Sequence, residues 1–352
     1  MGIGIGLDVG YGYNKVVRAD QMERLVMFPS ISGALSSQAM ATAEALSVSY
    51  SQWDYQGMTR LVGDDVYSSN CRTVYRAYDA NRVDNEHYKF LALVGIATVL
   101  PANVGTPLKV RVVTGLPNQY FLAEREALAA ILRGHHALTR QKGQKRFEFE
   151  FVVEDVKVLP QSIGGLTDAY LQKDGNGDAA LLDLYVGGVD IGFRTVDPAA
   201  VSPGWKLDPE ALRPGGDNLG MAMAAKLCDS YLSTEWGLNL GIHEVDEVVR
   251  TEQVRVRGEL RDISQQAREW KRQGAVQIWE YLGAQWDRIK RLDRIYFMGG
   301  GAEALFPHLL ATAPKGITRD LVLSPNASGA IARGFGKAAL QWQLAKGAVM
   351  HA

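Results

Sequence analysis

The sequence predicts an α/β protein of two similar lobes, each a mixed sheet carrying helices. Three observations predict it. The chain has 352 residues, more than one ordinary core accommodates. Strand-like and helix-like segments alternate from one end to the other. A strand ending in Asp-x-Gly occurs twice, as LDVG at 7–10 and VDIG at 189–192, each followed by a second strand-like run. This is a weak internal duplication about 180 residues apart.

The elements follow in order. GIGIGL and KVVRAD form a strand pair across the turn DVGYGYN, and ERLVMFPS adds a third strand. From Ala34 to about Tyr78 short strand-like runs (LSVSY, RLVGDDVY) mix with polar turns. Apolar residues at helical spacing predict a helix from Asn85, stopped by Pro101. KVRVVTGLP is a strand ending in a turn. NQYFLAEREALAAILRGHH is an amphipathic helix closed by Gly134, with His135 and His136 as its polar C-terminus. FEFEFVVEDVKVLPQS carries strand signals, and QSIGGLTDAYLQKDGNG reads as a helix closed by a Gly-Asn-Gly turn.

The second half repeats this grammar. ALLDLYVGGVDIGFRTVDPAAV gives strand, turn and strand, and PGGDNLGMAMAAKLCDSYL opens a helix after a double glycine. A long charged helix follows from GELRD to KRL, with a break predicted near Gly274. Its tryptophans Trp270, Trp279 and Trp286 are spaced to pack on one face, and REWKRQ and DRIKRLDR read as solvated faces. DRIYFMGGGAEALFPHLL is strand, glycine triplet and helix, and SPNASGAIARGFGKAALQWQLA closes the chain with a helix.

Composition narrows the function classes. A net charge of -1 does not suit a protein that coats nucleic acid by itself, because neutralising phosphates takes an excess of Lys and Arg. Two cysteines, Cys71 and Cys228, lie far apart with no metal or disulfide spacing. They read as small apolar residues in a reducing cytoplasm. The first apolar stretch is short, meets Asp8 early and lacks a basic leader, so it does not read as a signal peptide. No later apolar stretch is long enough to span a bilayer.

The chemistry sits in the glycine turns. A single Asp-x-Gly turn is explained by turn geometry alone. Two of them facing each other would clamp a polyphosphate: glycines admit close approach and present N–H groups, and the carboxylates Asp8 and Asp190 would hold Mg²⁺ through its retained waters. Lys15 supplies a point charge for phosphate oxygens. A third turn, Gly299, Gly300 and Gly301, joins a strand to a helix N-terminus, which favours phosphate or ribose contacts. Neither a Rossmann fingerprint nor a P-loop is present.

Five motifs in order resemble the actin, hexokinase and heat-shock chaperone ATPase superfamily over almost the whole chain. GLDVGYGYNK resembles its first phosphate loop, LPQSIGG the start of its connecting helix, and VDIGFRT its second phosphate loop. PGGDNLG resembles the glycine pair opening a helix in the second lobe, and MGGGAEAL the adenosine loop. Within it, DVGYGYNK followed by FPSISG, VGDD, TGLP and AERE looks most like the plasmid-segregating ParM proteins and their archaeal actin-like relatives.

The resemblance implies a two-lobed, ribonuclease H-like ATPase fold with a nucleotide cleft. One lobe would comprise 1–160 and 326–346, with a small subdomain at about 30–100; the other would comprise 161–325, with an insertion at about 205–285. It implies ATP or GTP with Mg²⁺ as cofactors. Asp8 and Asp190 would surround the Mg²⁺, while Gly10, Tyr11, Gly12, Gly192 and Phe193 would offer N–H groups to the phosphates. Gly215 and Gly216, with Gly299 to Gly301, would line the nucleoside. Gln161 falls where actins carry a glutamine that orients the attacking water, and several ParM proteins carry a glutamate there. Because glutamine is no strong base, turnover would be slow.

The function implied is a cytoplasmic, polymerising ATPase. Its filaments would move plasmid copies through a separate adaptor bound to centromere-like DNA, without touching nucleic acid or membrane directly. Two rivals share the superfamily. A monomeric small-molecule kinase, for a sugar or acetate, needs a carboxylate base aimed at an acceptor, and no acceptor signature stands out beyond Asp190. A chaperone-like ATPase would want a substrate-binding domain after the ATPase, where this chain has only a short tail.

Overall fold

The computed structural model describes residues 2–69, 71, 73–76, 83, 85–213, 215–286 and 289–350. Tyr78, Pro214, Asp287 and Arg288, which fall within segments read above, lie outside them. The first half gives β1 (Ile3–Val9), β2 (Tyr13–Arg18), β3 (Val26–Pro29), β4 (Ile31–Ala34), α1 (Ser37–Ala45), β5 (Ser51–Tyr55), β6 (Met58–Val62), α2 (Asp64–Tyr67), β7 (Thr73–Arg76), α3 (Glu86–Thr98), β8 (Leu108–Leu116), α4 (Asn118–Leu132), β9 (Gly134–Lys142), β10 (Lys145–Pro160) and α5 (Gln161–Tyr170). The second half gives β11 (Val186–Ile191), β12 (Thr195–Ser202), β13 (Lys206–Leu207), β14 (Gly216–Asp217), α6 (Met221–Trp236), α7 (Ile242–Thr251), β15 (Gln253–Val256), β16 (Glu259–Asp262), α8 (Ser264–Gln285), β17 (Arg294–Met298), α9 (Gly300–Thr312), β18 (Leu321–Leu323) and α10 (Ala330–Met350).

Two sheets organise most of these elements, and β15 and β16 pair apart from both. The larger runs β3-β2-β1-β8-β10-β9-β5-β6-β4-β7; the smaller runs β13-β12-β11-β17-β18, with β14 on β12. Each is built on the same unit, an antiparallel hairpin (β1–β2, β11–β12) whose first strand pairs in parallel with a later one, β8 or β17. Parallel strands need both faces covered, and β1 and β11 are buried almost throughout. On β1 one cover is α3, apolar all round from Phe90 to Ala97 and started by Asn85, whose side chain accepts from the His87 N–H at 2.9 Å.

The two halves meet where α5 crosses α10, an approach closed to any side chain. A Cβ on Gly334 would land on the Gly164 carbonyl oxygen, and one on Gly164 would strike the Phe335 ring at 2.5 Å. Asp168 of α5 ties the crossing: its Oδ2 accepts from Arg333 Nη2 at 2.6 Å, its backbone carbonyl accepts from Lys337 Nζ at 2.6 Å, and the Lys337 ammonium pairs with its carboxylate at 2.7 Å. Gly334→Ala therefore forces the helices apart. It is expected to cost ~3 kcal/mol, measured as a lowered thermal midpoint.

The structure departs from the sequence reading at four places. Between Ala34 and Tyr78, α1 and α2 appear where only strands and turns are predicted, because Ala, Ser and Thr in α1 make no apolar stripe. The long helix α8 begins only at Ser264, because the predicted opening GELRD turns at Gly258 (φ 89°) and forms β16 against β15; it is unbroken at Gly274, which faces Leu305 of α9 at 4.0 Å from where a Cβ would lie. Within REWKRQ, Lys271 is not solvated; it is buried and donates to Glu252 Oε1 at 2.9 Å. Likewise Ile289 and Leu292 of DRIKRLDR are core. Trp279 and Trp286 are buried as predicted, as is Cys228; Cys71 is half-buried.

The fourth place is the histidine pair. Gly134, at φ 115°, reverses the chain, so His135 and His136 lie on β9 rather than at a helix end. His135 points outward to Glu150 at 2.7 Å. His136 points inward: its Nε2–H donates to the Leu132 carbonyl at 2.9 Å, so Nδ1 accepts from the Tyr55 hydroxyl at 3.0 Å. Burial holds its pKa below the usual histidine value. The unfolded chain therefore binds the proton more readily, and stability present above about pH 6.5 is lost as pH falls below it. Thermal melts between pH 7.5 and 5 should show that loss, and His136→Gln should flatten it.

Candidate functional site

Hairpin register alone sets the first wall of the cleft. Asp8 and Lys15 are directly opposite on β1 and β2, and their side chains meet at 3.3 Å. The Gly10 N–H closes the turn onto the Tyr13 carbonyl at 3.0 Å. The second hairpin repeats the construction, with the Gly192 N–H on the Thr195 carbonyl at 2.9 Å and Asp190 opposite Asp197. Both glycine N–H groups are therefore engaged within their own turns. The carbonyls of Gly192 and Phe193 accept from the first N–H groups of α6, at 3.3 and 2.7 Å, which caps that helix and fixes the second turn's orientation. A Cβ on Gly220 would collide with the Gly192 carbonyl, so the close approach requires glycine. The turns face one another: the Arg194 guanidinium lies 5.8 Å from the Tyr11 ring centroid.

The third turn seals the floor. Gly299 has φ 91°, and a Cβ there would land on the Asp190 carboxylate and the Ile191 carbonyl. Gly301 is equally confined, with the Gly192 carbonyl oxygen 2.6 Å from its Cβ position. Gly300 is open and begins α9. Gln161, the first residue of α5, is buried and donates from Nε2 to Asp8 Oδ1 at 2.7 Å. A carboxylate can only accept, so this contact leaves the Gln161 carbonyl oxygen as the free end.

Together these residues enclose a cleft of about 240 Å³. It brings together Asp8, Gly10, Tyr11, Gly12, Lys15, Gln161, Asp190, Gly192, Phe193, Gly299, Gly300 and Gly301, all singled out in the sequence. Gly215 and Gly216 are not among its lining residues. Gly216 pairs with Val196 at the sheet edge, and Gly215 packs on the Asp197 carboxylate, 2.5 Å from its Cβ position. The helix they were expected to open starts later, at Met221.

Sequence reasoning missed the far wall. His243, Asp246 and Arg250 of α7, with Glu303 and Ser328, line the same cleft. Arg250 donates from Nε to Asp246 Oδ2 and from Nη1 to the Gly300 carbonyl, both at 2.8 Å, which straps α7 to the third turn. Glu303 accepts from the Ser328 N–H at 2.9 Å. The signal available was the i,i+4 spacing of Asp246 and Arg250 on an amphipathic helix. Two groups of charges line the cleft: Lys15 beside Asp8 and Asp190, and Arg250 with Asp246 and Glu303. Burial, together with the Asp197 and Asp8 carboxylates, raises the Asp190 pKa well above the usual carboxylate range, with Lys15 opposing.

Two walls of glycine turns around a polar cleft, repeated by two halves of one chain, define a nucleotide-cleft fold of the actin type. The chain belongs to the actin-like proteins. A family model described as the N-terminal domain of actin-like proteins matches residues 6–164. A second, the C-terminal domain of the archaeal MreB-like actin homologue, matches residues 188–311. Among solved structures, a 15-stranded ParM filament from Clostridium botulinum is similar with a TM-score of 0.78 and 20% identity, covering 97% of this chain and 99% of that one. The archaeal actin homologue Ta0583 gives 0.76 and 18%, covering 96% and 99%. Bacillus thuringiensis ParM with ADP gives 0.68 and 13%, covering 97% and 99%. No curated protein matches this sequence.

Proposed function

We propose that this chain is a Mg²⁺-dependent, nucleotide-hydrolysing protein that assembles with itself into filaments. The observation that carries the reading is the Asp8–Lys15–Gln161 constellation facing the Asp190 turn, four groups from three separate parts of the chain converging on one cleft. Lys15 and the turn backbones would receive the phosphates of ATP or GTP. The acceptor-rich wall of Asp246 and Glu303 suits the hydroxyl and amino donors of a nucleoside. Gln161, held by Asp8, would present its carbonyl oxygen to a water beside the terminal phosphate. Orientation without a strong base gives slow hydrolysis, suited to timing assembly.

The donor set fits a hydrated Mg²⁺. Asp190 and Asp8 interact electrostatically and carry more negative charge than Lys15 offsets, which is the arrangement that a cation relieves. No group of three or more His, Cys, Asp or Glu residues able to hold a metal occurs among the described residues. Asp8 and Asp190 would therefore act on the water shell, as Mg²⁺ commonly requires. When bound, the ion supplies charge neutralisation at the phosphates.

Residues 1–160 with 326–346 would move as one lobe and 161–325 as the other. In support, the larger sheet ends at Pro160, and α10 packs back on β1. The solved ParM filament supports self-assembly over the kinase reading. By the same likeness we extend the proposal to plasmid segregation in the cytoplasm. A net charge of -1 fits contact with DNA through an adaptor rather than directly. The test is right-angle light scattering with phosphate release followed in parallel, with and without Mg-ATP or Mg-GTP. A nucleotide-dependent rise and later fall is expected; phosphate release with no scattering at any concentration would overturn the self-assembly reading.

A further inference from the structure

We propose that Asn118 is a positioning residue for hydrolysis: from beneath the cleft it fixes Gln161 against the Asp190 hairpin. The proposal rests on the water-orienting reading of Gln161 above and adds the group that acts through it. Asn118 opens α4 just beyond the end of β8 and is 8% exposed. Its Nδ2 donates to the Pro198 carbonyl at 2.8 Å and to the Arg213 carbonyl at 2.9 Å. Its Oδ1 accepts from the Ser162 hydroxyl at 2.9 Å. Both amide hydrogens are thus spent and the oxygen is engaged. The amide is held in one orientation, since turning it over would set its oxygen, which can only accept, against two carbonyls. The Asn118 backbone N–H donates to Asp197 Oδ1 at 3.0 Å. That carboxylate on β12 thereby caps a helix whose own N-cap, Pro117, makes no side-chain hydrogen bond.

The partners of Asn118 adjoin the groups that face the cleft. Ser162 follows Gln161 in the first turn of α5 and is fully buried. Asp197 stands directly opposite Asp190, so the two side chains share one face of the sheet. Asp197 is fully buried too, with the Gly215 Cβ position 2.5 Å from its Oδ1, which leaves it little room to swing. Asn118, Ser162 and Asp197 are not among the residues lining the cleft. They hold the nucleotide-facing groups from behind. Hydrolysis requires the Gln161 carbonyl oxygen and Asp190 at one separation, and a misplacement of about 1 Å costs about 100-fold in rate. The turns assigned to the phosphates close on themselves at Gly10 and Gly192, so their shape does not depend on Asn118.

The experiment is single-turnover phosphate release from the full chain with Mg-ATP or Mg-GTP, whichever wild type hydrolyses, alongside fluorescent-nucleotide affinity. It compares wild type, Asn118→Ala, Ser162→Ala, Gln161→Ala and the two combinations with Gln161→Ala. Release is counted per bound nucleotide, so an unfolded fraction does not lower the rate. Asn118→Ala should slow release by about tenfold, and Ser162→Ala, which removes only the bond from α5, by about threefold, with affinity within about twofold of wild type. In the Gln161→Ala background both losses should vanish, because Asn118 acts through that glutamine. Should Asn118→Ala not fold, Ser162→Ala decides by the same comparison. Losses that persist in the Gln161→Ala background, or wild-type rates in the single variants, would overturn the positioning role and leave hydrolysis standing. A wild type that releases no phosphate, or a Gln161→Ala variant as fast as wild type, would overturn the reading of the site above and this inference with it.

Discussion

Asp190→Asn is expected to move stability and activity in opposite directions. In the ligand-free protein Asp190 is buried near Asp197 and Asp8, and its folded pKa is raised. An acid whose pKa is raised on folding binds its proton more tightly folded than unfolded. Its site is therefore free of penalty below the ordinary carboxylate pKa, and stability is lost as pH rises through the window above it. Asparagine keeps the shape and removes the charge, so the thermal midpoint at pH 7.5 should rise by about 2 °C, the scale of ~1 kcal/mol in a large domain. The gain should fade toward pH 4. Hydrolysis should fall by about 100-fold or more, because the proposed cation would lose a carboxylate from around its water shell. A variant that is less stable than wild type at neutral pH would refute the like-charge account of this cleft.

Gln161→Ala should separate assembly from turnover. The glutamine touches Asp8 and opens α5, and the orientation of water proposed for it is specific to hydrolysis. Nucleotide affinity should stay within a few-fold, while phosphate release drops by about 100-fold, the cost of losing one positioned polar group. With Mg-ATP the scattering signal should rise as in wild type and then persist rather than decay. Gln161→Glu is the sharper probe: it places a second carboxylate 2.7 Å from Asp8 Oδ1, where only one of the pair can ionise readily. Its hydrolysis should recover as pH rises and that proton leaves. If Gln161→Ala releases phosphate at the wild-type rate, Gln161 is a packing residue and the water-positioning role is lost.

What the sequence by itself determined is the local chemistry. A strand that ends in Asp-x-Gly and folds back brings Lys15 toward Asp8, and once Gly10 closes the turn onto Tyr13, antiparallel pairing sets the two directly opposite. The glycine triplet after FM announces a turn that no side chain can enter, and the structure gives Gly299 a positive φ. These features depend on neighbours within a few residues, so they are legible without a fold. Tertiary structure alone decided the rest. Gln161 meets Asp8 across 153 positions. Arg250 reaches the Gly300 carbonyl across 50. Gly215 spends its missing side chain on Asp197 instead of the cleft, and His136 turns from a helix end into a core hydrogen-bond pair. Each is a contact between segments whose local patterns are complete without the other, and only burial of both in one core brings them within hydrogen-bond reach.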